Sequence, residues 1–194
     1  TQTFLRMTTP GVPDLYQGTE YWDFSLVDPD NRRPVDFTAR QHSLASAASL
    51  DELLQSWHDG RIKQAVIRRT LQLRRRYPRL FSEGRYLPLA VSGEQAEQLL
   101  AFARELEGEW VVVVVPRLAA DLLGDRGVPS IPAQRWGNTR IELPEALNGS
   151  EFERLFDGTT VSSQQASLEV ARVLDGLSAA VLHTSMTANG ESQQ

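Results

Sequence analysis

The sequence contains no cysteine, a single lysine (Lys63), three histidines and no apolar run longer than Trp110–Val115. Each scarcity excludes something. Without thiols there are neither disulfides nor thiolate metal sites. His42, His58 and His183 lie too far apart to suggest zinc. Six apolar residues fall well short of the roughly 20 that a membrane-spanning helix needs. Nineteen of the twenty cations are arginines, the net charge is −5 and there is no basic tract, which argues against nucleic acid as a main partner. Residues 1–5 show neither the basic start nor the apolar stretch of a secretory signal. A soluble, cytoplasmic protein is expected, with no membrane partner. The absence of an initiator Met suggests a portion of a longer chain.

What remains is ordinary globular composition: 194 residues, 41% hydrophobic and 23% charged, with 13 Gly and 10 Pro. Disordered and collagenous classes are excluded. The length suits one medium domain, or one domain with a piece of another.

Three regions follow one another. Residues 1–37 are rich in Pro, Asp and aromatics and read as irregular structure around one short strand. Residues 38–78 read as helical. Ser49 and Glu52 form a capping box, and Asp59-Gly60 ends that short helix and opens another. In the second helix Ile62, Ala65, Val66, Arg69, Thr70, Leu73 and Tyr77 recur at three- and four-residue spacing, until Pro78 stops it. Arg74, Arg75 and Arg76 fall in its last turn, where cations meet the negative end of the helix dipole. That placement reads as a solvated helix end rather than an RNA- or phosphate-binding patch.

From Arg85 the period becomes that of strands. Tyr86–Val91, Gln98–Ala103 and Trp110–Val115 are separated by turns at Ser92-Gly93-Glu94 and Glu107-Gly108-Glu109. Five consecutive valines suit a central strand buried on both faces. Further strands are expected at Thr139–Leu143, Phe152–Phe156, Leu168–Val173 and Ala179–His183. Strands at this spacing predict a β-sandwich, with a long loop over residues 119–136. Residues 185–194 read as a disordered polar tail.

The chemistry concentrates in two segments. Thr9-Pro10-Gly11-Val12-Pro13-Asp14-Leu15-Tyr16-Gln17-Gly18-Thr19-Glu20 is a short apolar strand ending in an aromatic, an amide, a glycine and an acid. A barrel builds a sugar site in this way, with polar groups for hydroxyls and a ring for the apolar face of a pyranose. The plain alternative is a strand and a turn with Tyr16 in the core. Next comes Asp28-Pro29-Asp30-Asn31-Arg32-Arg33-Pro34-Val35-Asp36-Phe37, whose acids and arginines can satisfy one another or a polyol. Calcium at Asp28 and Asp30 is disfavoured by the missing loop glycine and downstream acid. Among the tryptophans, Trp57 and Trp110 read as core, and Trp136, in the Gly/Pro loop, is the candidate for sugar stacking.

These two segments, T-P-G-V-P-D-L-Y-Q-G-T-E and W-D-F-S-L-V-D-P-D-N-R-R-P-V-D-F, resemble maltooligosyl trehalose synthase, of the α-amylase superfamily. L-x-L-R-R-R-Y-P-x-L-F-x-x-G-x-Y, A-F-A-R, V-V-V-P-R-L and W-G-N-T-R-I-E-L-P extend the resemblance over about residues 3–184. It implies an α+β fragment. Residues 1–78 would be the last strand, loop and helices of a (β/α)8 catalytic barrel, and 79–184 an antiparallel carboxy-terminal β-sandwich. The family rearranges the reducing-end α-1,4 linkage of maltooligosaccharides into an α,α-1,1 linkage. It uses a retaining mechanism, in which two carboxyl groups stand about 5 Å apart. In the superfamily those groups close the fourth, fifth and seventh barrel strands, all before residue 1 here. The resemblance therefore implies no catalytic residue and no cofactor in this chain. It implies cleft positions for Tyr16, Gln17, Gly18 and Glu20, with Asp28, Asp30, Asn31, Arg32 and Arg33 as a neighbouring wall. Asp14 and Glu20 read as structural carboxylates. Its partners would be the maltooligosaccharide and the preceding barrel. Two other readings are a non-catalytic glycan-binding or scaffold β-sandwich module, and a segment of another α-amylase-type enzyme.

Overall fold

The computed structural model describes residues 1–26, 32–124 and 127–184. The five valines decide its layering. They lie in β4 (Glu109–Pro116), which pairs antiparallel with β3 (Leu99–Leu106) on one side and β9 (Ala180–Thr184) on the other. The β3–β4 hairpin turns on two residues, Glu107 (φ 54°) and Gly108 (φ 86°). Paired positive φ angles match the right-handed twist of the strands they join. Beyond β3 lies β1 (Arg85–Leu89); beyond β9 lie β6 (Glu151–Arg154) and β7 (Thr160–Ser162). The sheet order is β1-β3-β4-β9-β6-β7. A second sheet, β2-β5-β8, is built from Val91–Ser92, Arg140–Glu142 and Ser167–Glu169. The strand pairings in both sheets are antiparallel.

Alternation along β4 sends its valines into two cores. Val112 and Val114 join Ile141, Leu168, Phe152 and Trp136 between the sheets. Val111, Val113 and Val115 join Phe4, Val66, Leu73, Leu80 and Phe81 beneath the helices. The molecule thus has three layers: helices, the large sheet and the small sheet. Every valine of the run is at most 1% exposed, and each full burial is worth about 1.5–3 kcal/mol.

The helical layer comprises α1 (Gln2–Thr8), α2 (Phe37–Ala45), α3 (Leu50–Gln55), α4 (Arg61–Arg76) and α5 (Pro78–Glu83). The Ser49–Glu52 capping box forms as expected. Gly60 caps α4 at φ 83°, where a Cβ would stand 2.9 Å from the backbone of Trp22, so only glycine lets the two segments approach. Among the described residues no helix is long and apolar enough to cross a membrane.

Several expectations are corrected. Residues 2–8 form a helix rather than irregular chain, because Phe4 and Met7 bury against the layer below. Residues 12–16 form no strand, and Val12 is 96% exposed. Pro78 ends α4 and also starts α5 from its first position, where a missing amide costs nothing. Leu168–Val173 splits into β8 and the short helix α6 (Val170–Val173), and β7 adds a strand that the spacing did not signal. The tail at 185–194 lies outside the described residues.

Candidate functional site

The stretch following α1 turns after Tyr16, with the Thr19 amide and hydroxyl both donating to the Tyr16 carbonyl oxygen at 3.1 and 2.7 Å. Gly18 sits in the turn with φ +87°, where a Cβ would stand 2.9 Å from the Val35 side chain. The turn is therefore seated against the segment that leads into α2.

Arg40 of α2 is the clasp. Its Nη2 donates to the Gly18 carbonyl oxygen (2.7 Å), its Nε to Glu20 Oε2 (3.0 Å) and its Nη1 to the Asp36 carbonyl oxygen (3.0 Å). The guanidinium also stacks 4.5 Å from the Tyr21 ring centroid. The Tyr21 hydroxyl lies 2.8 Å from Ser43 Oγ, which donates to Gln64 of α4. One polar chain thus joins the turn to two helices. Beside it, Trp22 Nε1 donates to the Trp57 carbonyl oxygen (2.6 Å), and the two indoles meet edge to face at 6.4 Å. Lys63 Nζ donates to the Tyr21 carbonyl oxygen (2.9 Å); burial draws its pKa below the ordinary lysine value.

The expected site residues fall into three groups. Tyr16 (41% exposed) and Gln17 present their side chains to solvent on the turn. Gly18 and Glu20 are half-buried, and the Glu20 carboxylate is engaged by Arg40. Arg32 and Arg33 are exposed just upstream of Val35. Asp28, Asp30 and Asn31 lie outside the described residues. Arg40, Tyr21, Trp22 and Lys63 were not anticipated, although the aromatic run from Tyr21 to Phe24 was a visible signal. Among the described residues no group of three or more His, Asp or Glu is placed to hold a metal ion.

Two expectations about other side chains are corrected. Trp136 is 0% exposed, packed between the sheets at the end of a 3-10 turn, and cannot stack on a sugar. Arg75 and Arg76 are exposed at the helix end, but Arg74 is engaged: its Nη1 donates to the Met7 carbonyl oxygen (2.8 Å) at the last turn of α1, and it stacks on Phe81 at 4.8 Å. The motif Trp136-Gly137-Asn138-Thr139 gains a physical account instead. Asn138 Oδ1 and Thr139 Oγ1 accept from the amides of Glu94 and Gln95, both at 3.0 Å, fixing the turn that connects the two sheets.

Comparison with known proteins places this architecture. A relative from Mycobacterium tuberculosis, named as a maltooligosyl trehalose synthase, is 37% identical over 166 residues, 86% of this chain. The chain matches the carboxy-terminal portion of maltooligosyl trehalose synthases. It spans 18% of the length of that relative. No family model matches. The maltooligosyltrehalose synthase of Arthrobacter ramosus superposes with a TM-score of 0.69 at 32% identity, covering 94% of this chain and 21% of that one. A second maltooligosyl trehalose synthase structure gives 0.64 at 25% identity over the same shares. An Anoxybacillus α-amylase gives 0.56 at 18% identity, a likeness of fold alone. These α-amylase-family neighbours carry the same combination of helices and antiparallel sheets.

Proposed function

We propose that this chain is the carboxy-terminal portion of a cytoplasmic maltooligosyl trehalose synthase, in which residues 1–78 complete the catalytic barrel and residues 79–184 form a supporting β-sandwich. The whole enzyme would convert the reducing-end α-1,4 linkage of a maltooligosaccharide into an α,α-1,1 linkage by intramolecular transglucosylation. The observation that carries this reading is the 37% identity spread over 166 residues. A match of that extent takes in most of the helical layer and of the sheets.

In this reading Tyr16 and Gln17 face the sugar, the ring against an apolar pyranose face and the amide toward hydroxyls. Gly18 and Glu20 hold that turn in place through Arg40. Asp28, Asp30, Asn31, Arg32 and Arg33 form the adjacent wall. The carboxylates of glycosyl transfer come from the preceding part of the longer protein, so the chain alone is inactive: a glucosyl-enzyme intermediate needs a nucleophile and an acid held together. Burial of Trp136 removes the side chain that spoke for an independent glycan-binding module.

The test incubates maltopentaose with this chain and, separately, with the chain joined to the preceding portion of a relative. Reducing ends should disappear only in the second case. Tyr16→Ala in the joined protein should weaken turnover roughly tenfold or more, in line with one lost stacking contact. Loss of reducing ends with the isolated chain, abolished by Asp14→Asn or Glu20→Gln, would overturn the reading.

A further inference from the structure

A cleft of about 500 Å³ opens between α2, α4 and the corner of the large sheet. Its volume falls within the usual range for small-molecule sites. Four of its lining residues are arginines of α4, Arg61, Arg68, Arg69 and Arg76, and the one carboxylate in the lining is Glu153 of β6. Sevenfold spacing places Arg61 with Arg68, and Arg69 with Arg76, on one face of the helix. In a chain of net charge −5, this is a local reversal of sign.

Arg68 and Arg69 are oriented more than they are neutralised. Arg68 Nη1 donates to the Leu44 carbonyl oxygen (2.8 Å), and Arg69 Nη1 reaches the Leu155 carbonyl oxygen (3.5 Å) while stacking 4.5 Å from the Phe156 ring. A carbonyl holds a guanidinium in place without cancelling its charge. Arg61 differs, since Asp59 Oδ2 lies 2.7 Å from its Nε. Arginine's planar fork suits a dianion, which a phosphate monoester supplies near neutral pH. Ser46 and Gln72 add a hydroxyl and an amide to the lining, and Ala47 and Ala48 leave room beside them. Those groups suit a polyol.

We propose that this cleft is a binding site for a phosphorylated sugar, held by Arg68 and Arg69 at its phosphate and by the Ser46 and Gln72 side chains at its hydroxyls.

Isothermal titration calorimetry of the 194-residue chain tests this with glucose 6-phosphate, inorganic phosphate and glucose. Glucose 6-phosphate should bind, with glucose and inorganic phosphate each weaker by about tenfold or more. Arg68→Gln should weaken the ester by about tenfold. Gln72→Glu, which places a carboxylate in the cleft at an exposed helix position, should do so as well, with an unchanged thermal midpoint. Arg79→Gln, on an exposed ion pair with Glu83 and Glu107, should leave binding intact. Equal affinity for glucose, or no weakening in Gln72→Glu, overturns the phosphate assignment. Equal affinity for inorganic phosphate overturns the sugar part, and absence of heat with all three overturns the site.

Discussion

The guanidinium of Arg104 donates at 2.9 Å to the carbonyl oxygen of Gly84, joining the middle of the large sheet to the residue that caps α5. The same Nη2 reaches the carbonyl oxygens of Leu80 (3.1 Å) and Phe81 (3.2 Å), and Nη1 that of Thr8 (3.4 Å). Arg104 is 1% exposed, and its neighbours are carbonyls at the ends of α1 and α5 rather than a carboxylate. Helix carboxyl ends carry partial negative charge, so one cation satisfies two of them.

Arg104→Met should therefore cost about 2–4 kcal/mol, because several buried carbonyls lose their donor at once. Urea unfolding should show the midpoint fall with an unchanged slope. A loss under about 0.5 kcal/mol, the range of an ordinary surface change, would show that water takes the guanidinium's place.

Trp136 fills the core between the sheets, and its Nε1 is buried with no hydrogen-bond partner. Trp136→Ala should cost about 3–5 kcal/mol. Trp136→Phe should be much milder, since it removes the unsatisfied polar atom along with part of the ring. Neither change should alter any affinity for maltooligosaccharide under conditions where the variant is folded. Glycan affinity that falls with Trp136→Phe at an unchanged thermal midpoint would restore the stacking reading.

Glu20 and Arg40 form a partly buried pair, with side chains 31% and 15% exposed respectively. A double-mutant cycle with Glu20→Gln and Arg40→Met should give a coupling of about 1 kcal/mol, the upper range for a pair still in contact with solvent. Hydrogen exchange at Thr19, whose amide is bonded to Tyr16, should speed up in either single variant. Independence of the two substitutions would mean that the turn is held by Val35 packing alone.

His183 is 3% exposed in β9, and burial lowers its pKa from the ordinary 6.5, more than Glu153 nearby raises it. The unfolded chain therefore binds a proton at this position at a pH where the native protein does not. Stability should be full above about pH 6.5 and decline as the pH falls below it, by at most about 1.4 kcal/mol per pH unit from one group. His183→Gln should flatten the dependence of the urea midpoint between pH 7.5 and 5.5. An unchanged dependence in the variant would assign the decline to other groups.

Legibility in the sequence followed the range of the interaction involved. The Ser49–Glu52 cap, the Glu107-Gly108 hairpin and the end of α4 at Tyr77 are local devices, and each stands where the residues place it. The valine run read as a strand buried on both sides because no other arrangement hides five β-branched side chains in succession. The likeness to maltooligosyl trehalose synthases was legible too, because motifs such as A-F-A-R and W-G-N-T-R carry contacts that hold the layers together. Arg104 and the Asn138–Thr139 pair are those contacts.

Trp136 marks where local reading ends. A tryptophan in a Gly/Pro loop reads as exposed, yet the loop folds inward because the two sheets need a large side chain between them. Gln64 and Ile67 are buried outside the expected stripe of α4, because α1 and α2 also pack against that helix, alongside α3 and α5. Periodicity reports one apolar face; it does not count neighbours. Composition and spacing thus determined the α3 cap, the extent of α4, the central hairpin and the two-sided burial of β4. Only the tertiary structure decided that the Glu20 carboxylate is held by Arg40, that Arg104 serves two helix ends, and that four arginines share a cleft. Those outcomes depend on which distant segments meet, and long-range contact of this kind has no signature in the residues next to it.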